Sequence, residues 1–177
     1  MDFVDVAARV LRERQDIHFG LVGGGTELEP MKRYASQLGV AQFVTFTGRV
    51  ADDDLLAMLS TAEVCVNPDV PNDMNDKSTM NKVMEYMALG KPIVQFDLTE
   101  GRFSAQEASI YARRGDVVDF AEQIVALLDD PTKRERMGAF GRRRIEEVLE
   151  WKYEAPKLLR AYEQLFEAGC LPRTAAG

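Results

Sequence analysis

The sequence contains little cysteine and almost no histidine. Its 177 residues include two cysteines and one histidine. Cys65 lies in an apolar stretch and Cys170 lies near the carboxyl terminus, so we expect no disulfide and a reducing, cytoplasmic location. His18 and the two thiols do not form a cluster with the spacing of metal ligands. These scarcities predict that there is no metal site, and they exclude a catalytic triad built on histidine.

The sequence also lacks long apolar runs and an excess of positive charge. No apolar stretch approaches the roughly 18 residues that a membrane-spanning helix needs, and the first residues do not resemble a signal peptide. The chain has 22 Lys and Arg against 29 Asp and Glu, which gives a formal net charge of -7. Because nucleic-acid-binding domains usually carry a basic face, this balance predicts no nucleic-acid partner.

Short apolar runs alternate with amphipathic segments along the whole chain. The apolar runs predict strands, and the segments between them have the period of helices. The predicted strands are residues 17–22, 43–46, 63–66, 92–96 and 109–111, and the main predicted helices are 2–14, 26–37, 52–59, 78–89, 99–107, 117–128, 132–149 and 153–166. This order predicts an α/β fold: a Rossmann-like parallel sheet with helices on both faces and a helical C-terminal extension.

We predict one domain over residues 1–167 and a disordered tail over residues 168–177. The chain opens with a helix that no strand precedes, although the helix of a right-handed βαβ unit normally crosses over from a preceding strand. Either the sheet begins in an unusual way, or the domain lacks its first strand and the chain is a fragment of a longer protein.

Two turns follow predicted strands at the edge where open α/β sheets bind ligands. The turn Gly23–Gly25 allows a phosphate or a ring to approach the backbone closely. The turn Thr47–Val50 offers backbone groups to a base edge, and its Arg49 is suited to stacking or to binding phosphate. An ordinary tight turn and an ordinary polar turn are the alternative interpretations.

The segment Lys77–Pro92 is more informative. Its predicted helix has an apolar stripe for packing on the sheet, and its other side carries polar residues, namely Ser78, Asn81, Lys82 and Glu85. The helix start offers free N–H groups, hydroxyls and an amine to an anion. Glu85 follows roughly 10 Å further along, and its carboxylate is a good acceptor for a vicinal diol. This order favours a diphosphate at the helix tip with a ribose beyond it; a solvated helix face is the alternative.

The run Asn81–Val94 resembles the donor-site helix of the retaining "glycosyl transferases group 1" family, which has the GT-B fold. The segments Val22–Gly25, Phe46–Val50 and Ala62–Pro68 resemble the successive strand-end signatures of that family. The resemblance extends over about residues 17–166. It implies that the chain corresponds to the C-terminal, nucleotide-sugar-binding half of such an enzyme.

The resemblance implies a role for each matching residue. Glu85 matches the glutamate that holds the donor ribose, Gly24 matches a glycine close to the donor, and Arg49 and Val50 match the turn that contacts the base. The diphosphate would meet backbone amides and the lysine amine at the helix start. The residues of this stretch are Ser78, Thr79, Met80, Asn81 and Lys82.

Two features depart from the family pattern. The position eight residues before Glu85, where the family often has a glutamate that contacts the transferred sugar, is Lys77, and Asp76 is the nearest acid. Both are expected near the sugar, but no catalytic residue is assigned. The family's Arg and Lys that stabilise the departing diphosphate, and its acceptor-binding N-terminal domain, would precede Met1.

The resemblance implies an enzyme of polysaccharide or glycolipid synthesis. A retaining hexosyltransferase moves a hexosyl unit from a nucleotide-diphosphate sugar to a glycan, lipid or small-molecule acceptor, here without a metal or other cofactor. Its partners would be the nucleotide sugar and the missing N-terminal domain, with peripheral membrane contact in the full enzyme. One helix terminus contributes about 0.3–1 kcal/mol, up to ~2 when partly buried, whereas catalysis needs at least ~8 kcal/mol. The isolated chain is therefore expected to be inactive.

Three other functions have to be compared with a glycosyltransferase. A sugar-nucleotide epimerase of the same fold would need acid and base carboxylates, for which Asp69, Asp73 and Asp76 are only loosely placed. A non-catalytic nucleotide-binding module also fits the chain. A receiver-like signalling domain is disfavoured because glycines stand where its acidic cluster should be.

The last predicted helix is unusually apolar for a solvated terminal helix. Its apolar residues either pack on the chain's own sheet or form an interface with the missing domain; they are Trp151, Tyr153, Leu158, Leu159, Tyr162, Leu165 and Phe166.

Overall fold

Strands and helices alternate in the computed structural model, which describes residues 2–167. The strands are β1 (Phe19–Val22), β2 (Val44–Gly48), β3 (Cys65–Asn67), β4 (Ile93–Phe96) and β5 (Ser109–Ala112). The helices are α1 (Asp2–Val10), α2 (Leu28–Gln37), α3 (Asp52–Thr61), α4 (Asn81–Ala88), α5 (Thr99–Ala105), α6 (Val117–Leu128), α7 (Pro131–Arg144) and α8 (Trp151–Glu167). Because each of the first four strands is followed by a crossover helix, the strands run parallel and the predicted α/β fold class is confirmed.

The parallel strands form two separate pieces of sheet. Strand β1 pairs with β2, and β4 lies between β3 and β5. In the second piece Ile93 of β4 is aligned with Cys65 of β3 on one side and with Ser109 of β5 on the other. Within residues 2–167 no strand joins β1 to β3.

The core lies on both faces of the sheet. Alternate residues of β4 point to opposite faces: Val94 and Phe96 belong to one cluster of buried side chains, and Ile93 belongs to another. The first cluster takes apolar residues from α1, α2 and α6, and α1 packs directly against α6. Helix α1 thereby connects the two pieces of sheet. The second cluster takes residues from α4 and is flanked by Phe140 of α7.

Several element boundaries differ from the sequence prediction. Helix α4 begins at Asn81, not at Ser78, because Met80 is extended (φ -91°, ψ 111°) and forms its N-cap. Helix α2 begins at Leu28 and not at residue 26, and its N-cap is Glu27 without a side-chain cap bond. The predicted helix 132–149 is α-helical only as far as Arg144, and one turn of π-helix (Ile145–Leu149) follows.

The C-terminal helix α8 contacts the π-helical turn before it. Its apolar side chains are exposed, with Trp151 at 66% and Leu159 at 61% of full exposure. The interpretation that this helix packs on its own sheet is therefore wrong. The predicted tail 168–177, with Cys170, lies outside the described residues. No helix of the described chain has the length and apolar character needed to cross a membrane.

Candidate functional site

A cavity of about 500 Å³ lies between β1 and β3 and opens at the carboxyl ends of these strands. One side of its mouth is the glycine turn Gly23–Gly25. The other side consists of the loop Pro68–Val70 after β3, together with Lys82 and Tyr86 of α4. Its position at the carboxyl edge of parallel strands is the position at which open α/β sheets bind ligands.

The turn after β1 lies against the turn after β2. Gly23 has φ +137°, a conformation that favours glycine, and its N–H donates to the carbonyl of Gly48 at 2.9 Å. A Cβ atom on Gly24 would stand 3.4 Å from Cγ of Arg49. The structure thus brings together two of the residues predicted to meet the donor. Arg49 is exposed and Val50 beside it is partly buried.

The first turn of α4 carries free donors at the mouth of the cavity. Within residues 2–167 the backbone N–H groups of Asn81 and Lys82 have no hydrogen-bond partner, as is usual for the first amides of a helix. The Lys82 amine donates to Oδ1 of Asp69 at 2.8 Å. The other oxygen of Asp69 is buried and has no partner in the described chain. Asp69 therefore holds the Lys82 amine at the wall of the cavity.

The hydroxyls of Ser78 and Thr79 are engaged by neighbouring groups. Ser78 Oγ donates to the carbonyl of Met74 at 2.6 Å, and Thr79 Oγ1 donates to Oε1 of Glu100 at 2.7 Å. Both residues precede α4, so the prediction that they form its tip is wrong. Glu100 is a residue of this region that the sequence motifs did not indicate. The only feature of the sequence that could have indicated it is its place in the first turn of α5, the helix after β4.

Glu85 lies on the same side of α4 as Lys82, about one turn further along the helix. It is exposed, and its carboxylate makes no hydrogen bond or ion pair in the described part of the chain. It is not among the residues that line the cavity. Its carboxylate is therefore accessible to a ligand that extends from the helix start along this face.

Asp76 links the loop before α4 to the start of α5. Its Oδ1 accepts from the backbone N–H of Thr99 at 3.0 Å, and its Oδ2 accepts from the Thr99 hydroxyl at 2.9 Å. Arg114 donates to Oδ1 at 2.7 Å. The Thr99 amide and hydroxyl, with Arg114, lower the pKa of Asp76 below its ordinary value. Both carboxylate oxygens of Asp76 thus hold the loop in place. The side chain of the neighbouring Lys77 is exposed.

We expect Asp76→Asn to destabilise the protein at neutral pH but much less in acid. A carboxyl group with a folded-state pKa below its unfolded value of about 3.9 stabilises the fold above that pH. The contribution is lost as the pH falls through the folded-state pKa. The urea midpoint of the variant should therefore lie below that of the parent at pH 7, and the difference should shrink as the pH is lowered toward the folded-state pKa of Asp76. Asp73→Asn, in the same exposed loop, is the matched control. A difference independent of pH would contradict this account.

With the geometry established, comparison with known proteins decides the family. The family model described as "Glycosyl transferases group 1" matches residues 1–130. The chain belongs to this family. The resemblance noted from its motifs is confirmed.

Two mannosyltransferases are among the relatives of this glycosyltransferase-family chain. It is 30% identical over 160 residues to the MMP alpha-(1->4)-mannosyltransferase of Mycolicibacterium hassiacum. The aligned region covers 87% of this chain and 37% of that protein. It is 32% identical over 146 residues to the GDP-mannose-dependent alpha-(1-6)-phosphatidylinositol monomannoside mannosyltransferase of Mycobacterium tuberculosis, covering 78% of this chain and 37% of that protein. The chain thus spans little more than a third of these relatives.

The fold is shared with solved structures. Sucrose-phosphate synthase from Thermosynechococcus elongatus superposes with a TM-score of 0.81 at 24% identity, over 93% of this chain and 42% of that one. The family match and the two transferase relatives do not favour the epimerase alternative.

Proposed function

We propose that this chain is the donor-binding domain of a retaining glycosyltransferase. The full enzyme moves a hexosyl unit from a nucleotide-diphosphate sugar to a glycan, lipid or small-molecule acceptor. One observation carries the proposal: the free amides at the start of α4 and the Lys82 amine are followed, one turn along the same side, by the accessible carboxylate of Glu85. The family membership and the GDP-mannose-dependent relative support an activated sugar as the ligand.

In this proposal the diphosphate binds at the first turn of α4. The free N–H groups of Asn81 and Lys82 and the partial positive charge of the helix terminus favour an anion there. The Lys82 amine is only 2.8 Å from Asp69, so this pair carries little net charge while it is intact. A diphosphate has to draw the amine away from Asp69, and part of the binding energy is spent on that exchange. The backbone amides of Thr79 and Met80 add donors in the segment before the helix, whereas the Ser78 N–H already donates to the carbonyl of Asn75 at 3.4 Å.

The nucleoside extends away from the diphosphate. Glu85 accepts hydrogen bonds from the two ribose hydroxyls, because a carboxylate presents two oxygens to a vicinal diol. The turn of Arg49 and Val50 meets the base, and Gly24 leaves room for the ligand beside Arg49. Glu85 and Arg49 are exposed, Gly24 lines the cavity, and Val50 is partly buried.

The reaction proposed for the full enzyme needs charge stabilisation on the departing diphosphate. The α4 terminus and neighbouring cations supply it, and we propose that no metal takes part. A helix terminus contributes only about 0.3–1 kcal/mol, up to ~2 when partly buried. The isolated chain is therefore expected to bind the donor without transferring the sugar. An acceptor-binding domain completes the active site, and we place the enzyme in the cytoplasm with peripheral membrane contact.

Glu85→Ala is expected to weaken nucleotide binding by at least about tenfold, since charge-assisted hydrogen bonds contribute about 1.5–3 kcal/mol each. Calorimetric titration with GDP, GDP-mannose, UDP and UDP-glucose measures the effect and identifies the base. The corresponding 2′,3′-dideoxynucleotide should bind the parent and the variant equally.

Glu107→Ala is the matched control, because Glu107 is also an exposed glutamate that makes no hydrogen bond in the described chain, and it does not line the cavity. Equal affinity of the Glu85 variant and the parent would remove Glu85 from the ribose site. Sugar transfer by the isolated chain would contradict the expected inactivity while leaving the donor site intact.

A further inference from the structure

A second, much smaller cavity is lined by residues of β3, β4, α4 and α5 and by the segment before α4. The space in it that is open to the centre of a water molecule measures about 10 Å³. A space of about 10–15 Å³ by this measure holds one water, provided that two to four polar groups face it. The polar residues that line the cavity are Asn67, Asn75, Ser78, Gln95, Glu100 and Ser104.

Asn67 has a polar atom without a partner in this cavity. The residue is 2% exposed, and its Nδ2 donates to Oε1 of Gln95 at 3.4 Å. Its Oδ1 is buried and accepts no hydrogen bond within residues 2–167. A buried acceptor without a partner is costly, so such atoms are normally paired with a protein group or with an ordered water.

The neighbouring groups fix this orientation of the Asn67 amide. Nε2 of Gln95 donates to the carbonyl of Gly101 at 3.4 Å, so Oε1 of Gln95 faces Asn67. Asn67 has to present Nδ2 to it, because two carbonyl oxygens cannot form a hydrogen bond. Turning both amides over would place Oε1 of Gln95 against the Gly101 carbonyl. Oδ1 is therefore the atom of Asn67 that is left for another donor.

The hydroxyl groups that line the cavity do not supply that donor. Ser78 Oγ donates its proton to the carbonyl of Met74 at 2.6 Å, and Ser104 Oγ donates its proton to Oε1 of Glu100 at 2.9 Å. A hydroxyl whose proton is committed presents only lone pairs, and an ionised carboxylate only accepts. A water fits this arrangement, because it has two protons to donate and is small enough for the space.

We propose that this cavity binds one internal water, which donates to Oδ1 of Asn67 and to Oγ of Ser78 and so links β3 to the segment before α4. The proposal stands on the buried geometry and does not rest on the donor-binding function. Its consequence for the candidate site is that the water helps to hold Met80, which lines the same cavity and is the N-cap of α4.

The test removes the acceptor. In Asn67→Leu an apolar side chain replaces the amide, and magnetic relaxation dispersion of the solvent should count one long-lived internal water fewer than in the parent. The amides of Val83 and Met84, which donate to the carbonyl of Met80, should exchange about tenfold faster. Gln37→Leu is the matched control, because Gln37 is an exposed amide that does not line the cavity. It should change neither the count nor the exchange rates.

A second measurement does not depend on the variant. In a crystal structure of the parent at about 1.5 Å resolution, one water should lie about 2.7–3.1 Å from Oδ1 of Asn67. The amides of α6 report whether Asn67→Leu is folded, and if it is not, the crystal structure alone decides. Absence of this water overturns the proposal, as does an unchanged water count or unchanged exchange in the folded variant. A thermal midpoint that Na⁺ or K⁺ raises over choline at equal ionic strength, in the parent but not in Asn67→Leu, would assign the cavity to a cation and would also overturn it.

Discussion

Replacing Gly138 by alanine is expected to destabilise the protein by about 2–3 kcal/mol, although alanine is the better helix former. A Cβ atom at this position of α7 would overlap the carbonyl oxygen of Gly90 and lie 2.9 Å from its carbonyl carbon. These are backbone atoms of the turn that ends α4, so they cannot move aside as a flexible side chain would. Because the new atom would overlap backbone, we expect a cost of about 3–4 kcal/mol, at or above the upper end of the usual range for overpacking, and only ~1 kcal/mol of helix propensity is gained in return.

The rigidity of the Gly90 turn is the reason for this expectation. Gly90 has φ +65° and donates its N–H to the carbonyl of Met87, and Lys91 donates to the carbonyl of Tyr86. This pattern ends α4 in a left-handed cap. Helix α7 can cross the turn at close range only because position 138 has no side chain.

Thermal and urea unfolding measure the effect, with an expected fall of roughly 4–12 °C in the midpoint. Gly141→Ala, on the same helix, is the graded control: its Cβ would meet the side chains of Ala108 at 3.0 Å and Met87 at 3.3 Å, so a smaller loss is expected. Gly25→Ala meets no atom within 4 Å and should be nearly neutral. A Gly138 variant as stable as the parent would show that α7 and the turn after α4 are not in contact.

Phe120→Ala is expected to cost about 3–5 kcal/mol, the usual range for removing a fully buried phenylalanine. Phe120 of α6 is 0% exposed and packs edge to face on Phe96 of β4, with ring centroids 4.9 Å apart. Both belong to the cluster that also contains the buried residues of α1. The substitution therefore leaves a cavity where the two pieces of sheet are held together.

Phe103→Ala is the matched control, because this phenylalanine is 64% exposed and should change stability by less than about 0.5 kcal/mol. Equilibrium urea unfolding of the two variants measures both values. If Phe120→Ala cost no more than Phe103→Ala, the cluster shared by α1, α6 and β4 would not be a stabilising core. A loss confined to α1 amides in hydrogen exchange would instead show that α1 unfolds separately.

The fold class was predictable because its signal is local. A continuous apolar run bounded by polar turns predicts a buried strand, and five such runs separated by helical periods leave a parallel sheet as the simplest arrangement. Boundaries were less predictable where side chains made contacts distant in sequence. The sequence pattern predicts Ser78 and Thr79 as helix residues. In the structure Thr79 donates to Glu100, 21 positions away, and Met80 is extended before the helix.

The candidate site, like the fold, was predictable from the sequence only in part. The order of an anion-binding helix start and a diol-binding carboxylate follows from the spacing of Lys82 and Glu85, which the helical period alone sets. That Asp69 holds the Lys82 amine, and that Asp76 bonds to Thr99 and Arg114, are decided by how loops fold against helices. A local pattern does not encode such contacts, because their partners are brought near by packing.

By itself the sequence determined the kinds of elements, their order, the polar side of α4 and the family to which the chain belongs, since periodicity and motif spacing are properties of neighbouring residues. Only the tertiary structure decided that the sheet stands in two pieces, that a cavity lies between β1 and β3, and that α8 is exposed. The physical reason is that strand pairing and burial depend on which distant surfaces meet, and each apolar run is compatible with more than one neighbour until the whole chain has packed.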